Sequence, residues 1–133
     1  MQRPRVMIVD DSSTVRQQLT RALTAGGFSV LEAFDGQDAF EKLTVDPGVS
    51  LIVCDINMPR MNGLELLEQL RGVVGAGAIP VIMLTTEGHP ELVQRAKQLG
   101  ARGWIVKPFK PDLLVAAVRK LTGASAPPVA RHT

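Results

Sequence analysis

Five times along the chain, a short apolar run gives way to a longer stretch whose apolar residues recur every three or four positions. The first run is Val6, Met7, Ile8 and Val9, halted by Asp10 and Asp11. Ser12 or Ser13 can then cap a helix that carries Val15, Leu19, Ala22 and Leu23 on one face, and Gly26-Gly27 stops it. A second run covers 28–33, and Asp35-Gly36 leads into a helix with Ala39, Phe40 and Leu43 together. The third run, Leu51, Ile52, Val53 and Cys54, ends at Asp55. A loop at 58–63 precedes a helix bearing Leu64, Leu67 and Leu70. Small residues at 72–78 carry the chain to the fourth run at 81–84. Pro90 suits the first turn of a helix with Leu92, Val93, Ala96 and Leu99, which Gly100 closes. The fifth run is Trp104, Ile105 and Val106, and the last helix starts near Pro111 with Leu113, Leu114, Ala117, Val118 and Leu121.

Runs one, three and four are apolar at every position, as strands buried on both faces must be. Strand and helix in strict alternation predict a parallel sheet with crossover helices on both sides, an open α/β domain. The 133 residues suit one such domain, here residues 1–122. Residues 123–133, with their Ala-Ser-Ala-Pro-Pro stretch, read as a disordered tail.

Composition narrows the function. Apolar residues make up 45% and charged residues 21%, a globular balance. A net charge of +2, with scattered Arg and Lys, argues against nucleic acid as a partner. Cys54 is the single cysteine and lies inside an apolar run, so it reads as a buried, inert thiol. The apolar run after Arg3 and Arg5 is too short for a signal peptide, and no stretch reaches the length of a membrane span. A cytoplasmic protein with no membrane insertion is the expectation.

The chemistry gathers at the strand ends. Asp10 and Asp11 follow run one, Asp55 follows run three, Thr85 and Thr86 end run four, and Lys107 follows run five. In a parallel sheet these are all carboxyl ends, and open α/β sheets bind ligands at that edge. Two unit charges about 4 Å apart repel by roughly 4 kcal/mol at an effective dielectric near 20. Either one carboxylate takes a proton or a cation moves in. Oxygen ligands in a partly open crevice favour Mg²⁺, which keeps several waters and seeks phosphate oxygens. With Lys107 as a compact positive charge, the parts needed for phosphoryl transfer onto a carboxylate are present.

These residues resemble the receiver domain of bacterial two-component systems. The matching pieces are Val-Asp-Asp-Ser at 9–12, Asp55 after its strand, Met58-Pro-Arg-Met-Asn-Gly63, Leu84-Thr85 and Lys107-Pro108-Phe109, within residues 5–121. The resemblance implies a flavodoxin-like, doubly wound (βα)5 fold, its five parallel strands in the order 2-1-3-4-5 with helices on both faces. It implies that Asp55 is the phosphoacceptor, and that Asp10, Asp11, Asp55 and the backbone carbonyl of Asn57 hold Mg²⁺. Thr85 and Lys107 then contact the phosphoryl group, and Trp104 takes the switch-aromatic position, where the family more often has Tyr or Phe. Thr86, Glu87 and Pro108 are implied to modulate the site, Pro108 at the family's cis peptide. The implied partners are a sensor histidine kinase, a target protein on the face of the fourth helix, fifth strand and fifth helix, and a phosphatase. In layout the chain is similar to the family's stand-alone chemotaxis regulators, which implies the flagellar motor switch as target; a receiver of another phosphorelay is the alternative. An aspartyl-phosphate phosphatase of the haloacid-dehalogenase type wants a second Asp two residues after the nucleophile, and Asn57 stands there. The implied role is thus a phosphoacceptor switch that assists its own phosphorylation and dephosphorylation, not an enzyme acting on outside substrates.

Overall fold

The computed structural model describes residues 3–46, 48–58, 61–72, 78–86 and 90–123. Five strands alternate with five helices: β1 (Arg5–Val9), α1 (Ser13–Ala25), β2 (Ser29–Ala33), α2 (Gly36–Val45), β3 (Leu51–Asp55), α3 (Gly63–Leu70), β4 (Val81–Thr85), α4 (Pro90–Gln98), β5 (Gly103–Val106) and α5 (Pro111–Thr122). All strand pairs are parallel and the sheet order is β2-β1-β3-β4-β5. This is the doubly wound, flavodoxin-like arrangement that the resemblance implied.

Side chains alternate across a strand, so each central strand feeds two cores. Val6 and Ile8 of β1, with Leu51, Val53, Ile82 and Leu84, pack against Leu19 and Leu23 of α1 and Leu114 and Val118 of α5. Met7 and Val9, with Ile52, Cys54 and Met83, pack against Leu43 of α2, Leu66, Leu67 and Leu70 of α3, and Ala96 of α4. Every residue of β3 and β4 is buried, as the unbroken apolar runs demanded.

Local signals set the helix starts. Ser12 accepts from the Val15 N–H, Asp35 from Asp38, and Asn62 from Glu65, whose own side chain accepts from the Asn62 N–H. Pro111 opens α5, and Gly123 closes it in the left-handed conformation at φ 73°. Residues 124–133, most of the expected tail, lie outside the described residues.

Two details depart from the apolar pattern. Leu66 is buried although only Leu64, Leu67 and Leu70 were expected to face inward on α3. Periodicity groups Leu113 with the other apolar residues of α5, but it is 62% exposed. It lies about 100° around the helix from Leu114, which points at the sheet. At the sheet edge, β5 alternates half-buried and exposed residues, leaving Trp104 and Val106 on the exposed side.

Candidate functional site

The carboxyl ends of β1, β3, β4 and β5 meet at one edge, as the pairing register requires. Asp55 pairs with Leu84 and Thr85 with Val106, so β3, β4 and β5 end almost level. The Lys107 N–H donates to the Thr85 carbonyl at 2.8 Å, which carries that pairing one step beyond β5. Asp10 does the same on the other flank, donating to the Ala33 carbonyl at 3.2 Å.

One carboxylate oxygen each from Asp10, Asp11 and Asp55 lies within 4.8 Å of the others. Asp10 and Asp55 are buried and Asp11 is exposed. The Lys107 ammonium bridges the two buried acids, 2.9 Å from Asp10 Oδ2 and 3.1 Å from Asp55 Oδ2. Asp10 Oδ1 accepts from the Ser12 N–H at 2.9 Å, and Asp55 Oδ1 from the Asn57 N–H at 3.2 Å. Thr85 is buried, and its hydroxyl donates to the Thr86 carbonyl at 3.1 Å; Thr86 itself is exposed. The Lys107-Pro108 bond is cis. Trp104 stands outside this cluster, on β5, with the Lys97 ammonium of α4 4.7 Å from its ring centroid. Glu87, expected to modulate the site, lies outside the described residues.

The electrostatics follow from this crowding. Burial pushes the Asp55 carboxyl above its ordinary pKa, the Asp10 charge adds to the rise, and Lys107 only partly offsets it. Burial alone would pull Lys107 down, but its hydrogen bond to Asp10 and the charges of Asp55 and Asp10 win, and its pKa is raised. Burial drives the Cys54 thiol well above its usual value, reinforced by Asp55 and Asp10, so it is no nucleophile at neutral pH.

A divalent cation fits the donor set. Three carboxylates face one ammonium, so two negative charges are uncompensated when all are ionised. Every donor is oxygen and one side is exposed, which suits a hard ion that retains waters. The same geometry presents Asp55 as a buried carboxylate with a lysine beside it, an arrangement able to serve as a nucleophile.

Three features of the site escaped the sequence reading. The Arg16 guanidinium of α1 turns back to donate to the Asp10 carbonyl at 2.6 Å. Gly63 holds α3 so close to β3 that a Cβ there would lie 2.6 Å from the Asp55 carbonyl oxygen. Lys97 covers Trp104. Only Gly63 left a trace in the sequence, as the glycine that ends the 58–63 loop.

The family model described as "Response regulator receiver domain" matches residues 6–119. A chemotaxis protein CheY1 of Helicobacter pylori is 38% identical over 91% of this chain and 98% of its own length. A chemotaxis protein CheY homolog of Campylobacter jejuni is 39% identical over 92% of this chain and 95% of its own. Among solved structures, the chemotaxis response regulator CheY4 of Vibrio cholerae superposes with a TM-score of 0.83 at 37% identity, covering 90% of this chain and 98% of that one.

Proposed function

This chain belongs to the response regulator receiver domain family, and on that premise we propose that it is a switch worked by phosphorylation of Asp55. The observation that carries the reading is the buried Asp55 carboxylate, 3.1 Å from the Lys107 ammonium and grouped with Asp10 and Asp11. In this reading an Asp55 Oδ attacks the phosphorus of a phosphohistidine on a sensor kinase. An O–P bond forms as the N–P bond breaks, and the freed imidazole takes up a proton. Lys107 holds charge on the transferring oxygens, and the Thr85 hydroxyl donates to one of them once it is in place.

Asp10, Asp11, Asp55 and the Asn57 carbonyl would hold Mg²⁺, which when bound supplies positive charge against the oxygens of the transferring group. Thr86 and Pro108, next in the chain to Thr85 and Lys107, together with Glu87, two residues after Thr85 in the sequence, tune the lifetime of the acyl phosphate. The output face is that of α4, β5 and α5, where Trp104, Val106 and Leu113 are exposed. The chemotaxis names of the relatives support a target in motility, the flagellar motor switch, with the kinase and a phosphatase as the other partners. No helix of the described residues is long and apolar enough to cross a membrane, and we place the protein in the cytoplasm.

The test is direct. Incubated with Mg²⁺ and acetyl phosphate, the protein should gain one hydroxylamine-labile phosphoryl group, mapped to Asp55, and a chelator should suppress the gain. Label at the wild-type level in Asp55→Asn would overturn the proposal.

A further inference from the structure

Asp10 is anchored at every polar atom it has. Its N–H donates to the Ala33 carbonyl, Oδ1 accepts from Ser12 and Oδ2 from Lys107. Its own carbonyl is the fourth point, and there the partner is Arg16. Arg16 sits one turn after the cap residue Ser12, whose carbonyl accepts from the Arg16 N–H at 3.0 Å. Helical side chains lean toward the helix N-terminus, which returns the guanidinium over the β1–α1 junction. There Nη1 reaches the Asp10 carbonyl at 2.6 Å, while Nε donates to Glu32 Oε1 of β2 at 3.2 Å.

The Asp10 carbonyl belongs to the same rigid plane as the Asp11 N–H. Holding that oxygen therefore fixes the direction in which the chain leaves Asp10 and the place from which the Asp11 side chain starts. A bare cation next to the acid cluster would compete with a metal ion. Glu32 counters this by pairing with the guanidinium on its outer side, so Arg16 grips the backbone with little net charge. The Arg16 side chain is four-fifths buried, 19% exposed, against 48% for Glu32, so the grip is shielded and its counter-charge is half in solvent.

We propose that Arg16, backed by Glu32, is a positioning residue that sets the affinity of the acid cluster for its divalent cation. The inference rests on the reading of Asp10, Asp11 and Asp55 as the metal site. It is opposite in sign to what charge alone dictates. If Arg16 mattered only as a positive charge near the cluster, its removal would tighten the binding of a cation. If it positions the Asp10–Asp11 peptide, its removal weakens binding, and supporting contacts of this kind are worth about 10- to 100-fold in metal affinity.

The experiment titrates MgCl₂ into wild type, Arg16→Met, Arg16→Lys, Glu32→Gln and Asp11→Asn at low ionic strength, and repeats each titration with added KCl. Two readouts are followed, Trp104 emission and the rise in thermal midpoint with metal, neither of which needs phosphorylation. Arg16→Met should weaken Mg²⁺ binding about tenfold or more. Arg16→Lys, a compact ammonium without the fork that spans both partners, should fall between it and wild type. Glu32→Gln keeps an acceptor but bares the guanidinium charge, so it should lose less and regain wild-type affinity as KCl is raised. A purely structural Arg16 would lower the midpoint of the metal-free protein and leave the Mg²⁺ constants unchanged. That result, or tighter binding by Arg16→Met, overturns the inference. Should Arg16→Met not fold, Arg16→Lys and Glu32→Gln decide it by the same comparison. Wild type that ignores Mg²⁺, or Asp11→Asn that binds as wild type does, instead sinks the metal-site reading itself, and the inference with it.

Discussion

Trp104 carries a perturbation whose size can be worked out from one contact. The Lys97 ammonium lies 4.7 Å from the indole centroid, and Trp104 is 40% exposed. Trp104 pairs in register with Met83, so it stands on the sheet face that α4 covers, and Lys97 meets it from that helix. A cation over an indole at a partly exposed site contributes about 0.5–1 kcal/mol. We propose that phosphorylation draws the Trp104 ring inward from the exposed position it holds here; the Lys97 contact belongs to that exposed position, so losing it would favour the inward ring about two- to fivefold. A ligand that favours the inward state binds more tightly in proportion to the population of that state. In Lys97→Gln, the beryllofluoride concentration that half-saturates the Trp104 response in excess Mg²⁺ should therefore fall about two- to fivefold. Gln keeps most of the stem, so the ring is not simply uncovered. Lys97→Arg keeps the cation and should titrate as wild type does. Fluorescence with acrylamide quenching follows the titration. An unchanged half-saturation in Lys97→Gln, or the same shift in Lys97→Arg, would refute the argument that the charge holds the ring outward.

Further outcomes follow from the site itself. Thr85→Ala should still accept phosphate from acetyl phosphate, yet lose most of the Trp104 quenching response to beryllofluoride; a full response would remove the hydroxyl from the link. Burial, and then Asp10, hold the Asp55 pKa above the value of an unfolded aspartate, so the folded chain binds that proton more tightly. Ionised Asp55 thus costs stability at neutral pH, a cost relieved as pH falls through its raised pKa. In metal-free buffer Asp55→Asn should melt above wild type at neutral pH, with the gap closing in acid; a lower melting point at neutral pH would contradict the sign. In Gly63→Ala the new Cβ would meet the Asp55 carbonyl oxygen at 2.6 Å and the Met83 methyl at 2.5 Å. Such crowding should cost about 1–3 kcal/mol in urea unfolding and slow phosphorylation, and a neutral effect would show that α3 can retreat.

Much of the architecture was legible because parallel strands buried on both faces read as unbroken apolar runs, and β1, β3 and β4 do so. Once those strands are parallel, Asp10, Asp55, Thr85 and Lys107 must share an edge whatever their order. The order itself came from family resemblance, since nothing in the alternation of runs tells β1 to sit between β2 and β3. Leu113 was misplaced because Leu113 and Leu114 are adjacent and equally apolar, so periodicity alone could not choose between them. Arg16 and Lys97 were invisible for another reason. Their roles depend on where a long side chain ends, and that is set by tertiary neighbours.

On the proposed function, the distribution of partners makes Thr85 the group best able to answer phosphorylation. Asp10 is tied at four atoms, and Lys107 is shared between two carboxylates. Phosphorylation of Asp55, as proposed, would replace its single charge with about −1.5 to −2, plus new acceptor oxygens. Those oxygens need a donor that is not already committed across the site. Among the described residues the Thr85 hydroxyl bonds the carbonyl of the next residue, a local bond of 3.1 Å that can be exchanged at little cost. Turning that hydroxyl toward a phosphorylated Asp55 would draw on the end of β4, whose Thr85 carbonyl accepts from the Lys107 N–H. Such a pull would reach β5 three residues beyond Trp104, on the strand that leaves its outer side chains uncovered.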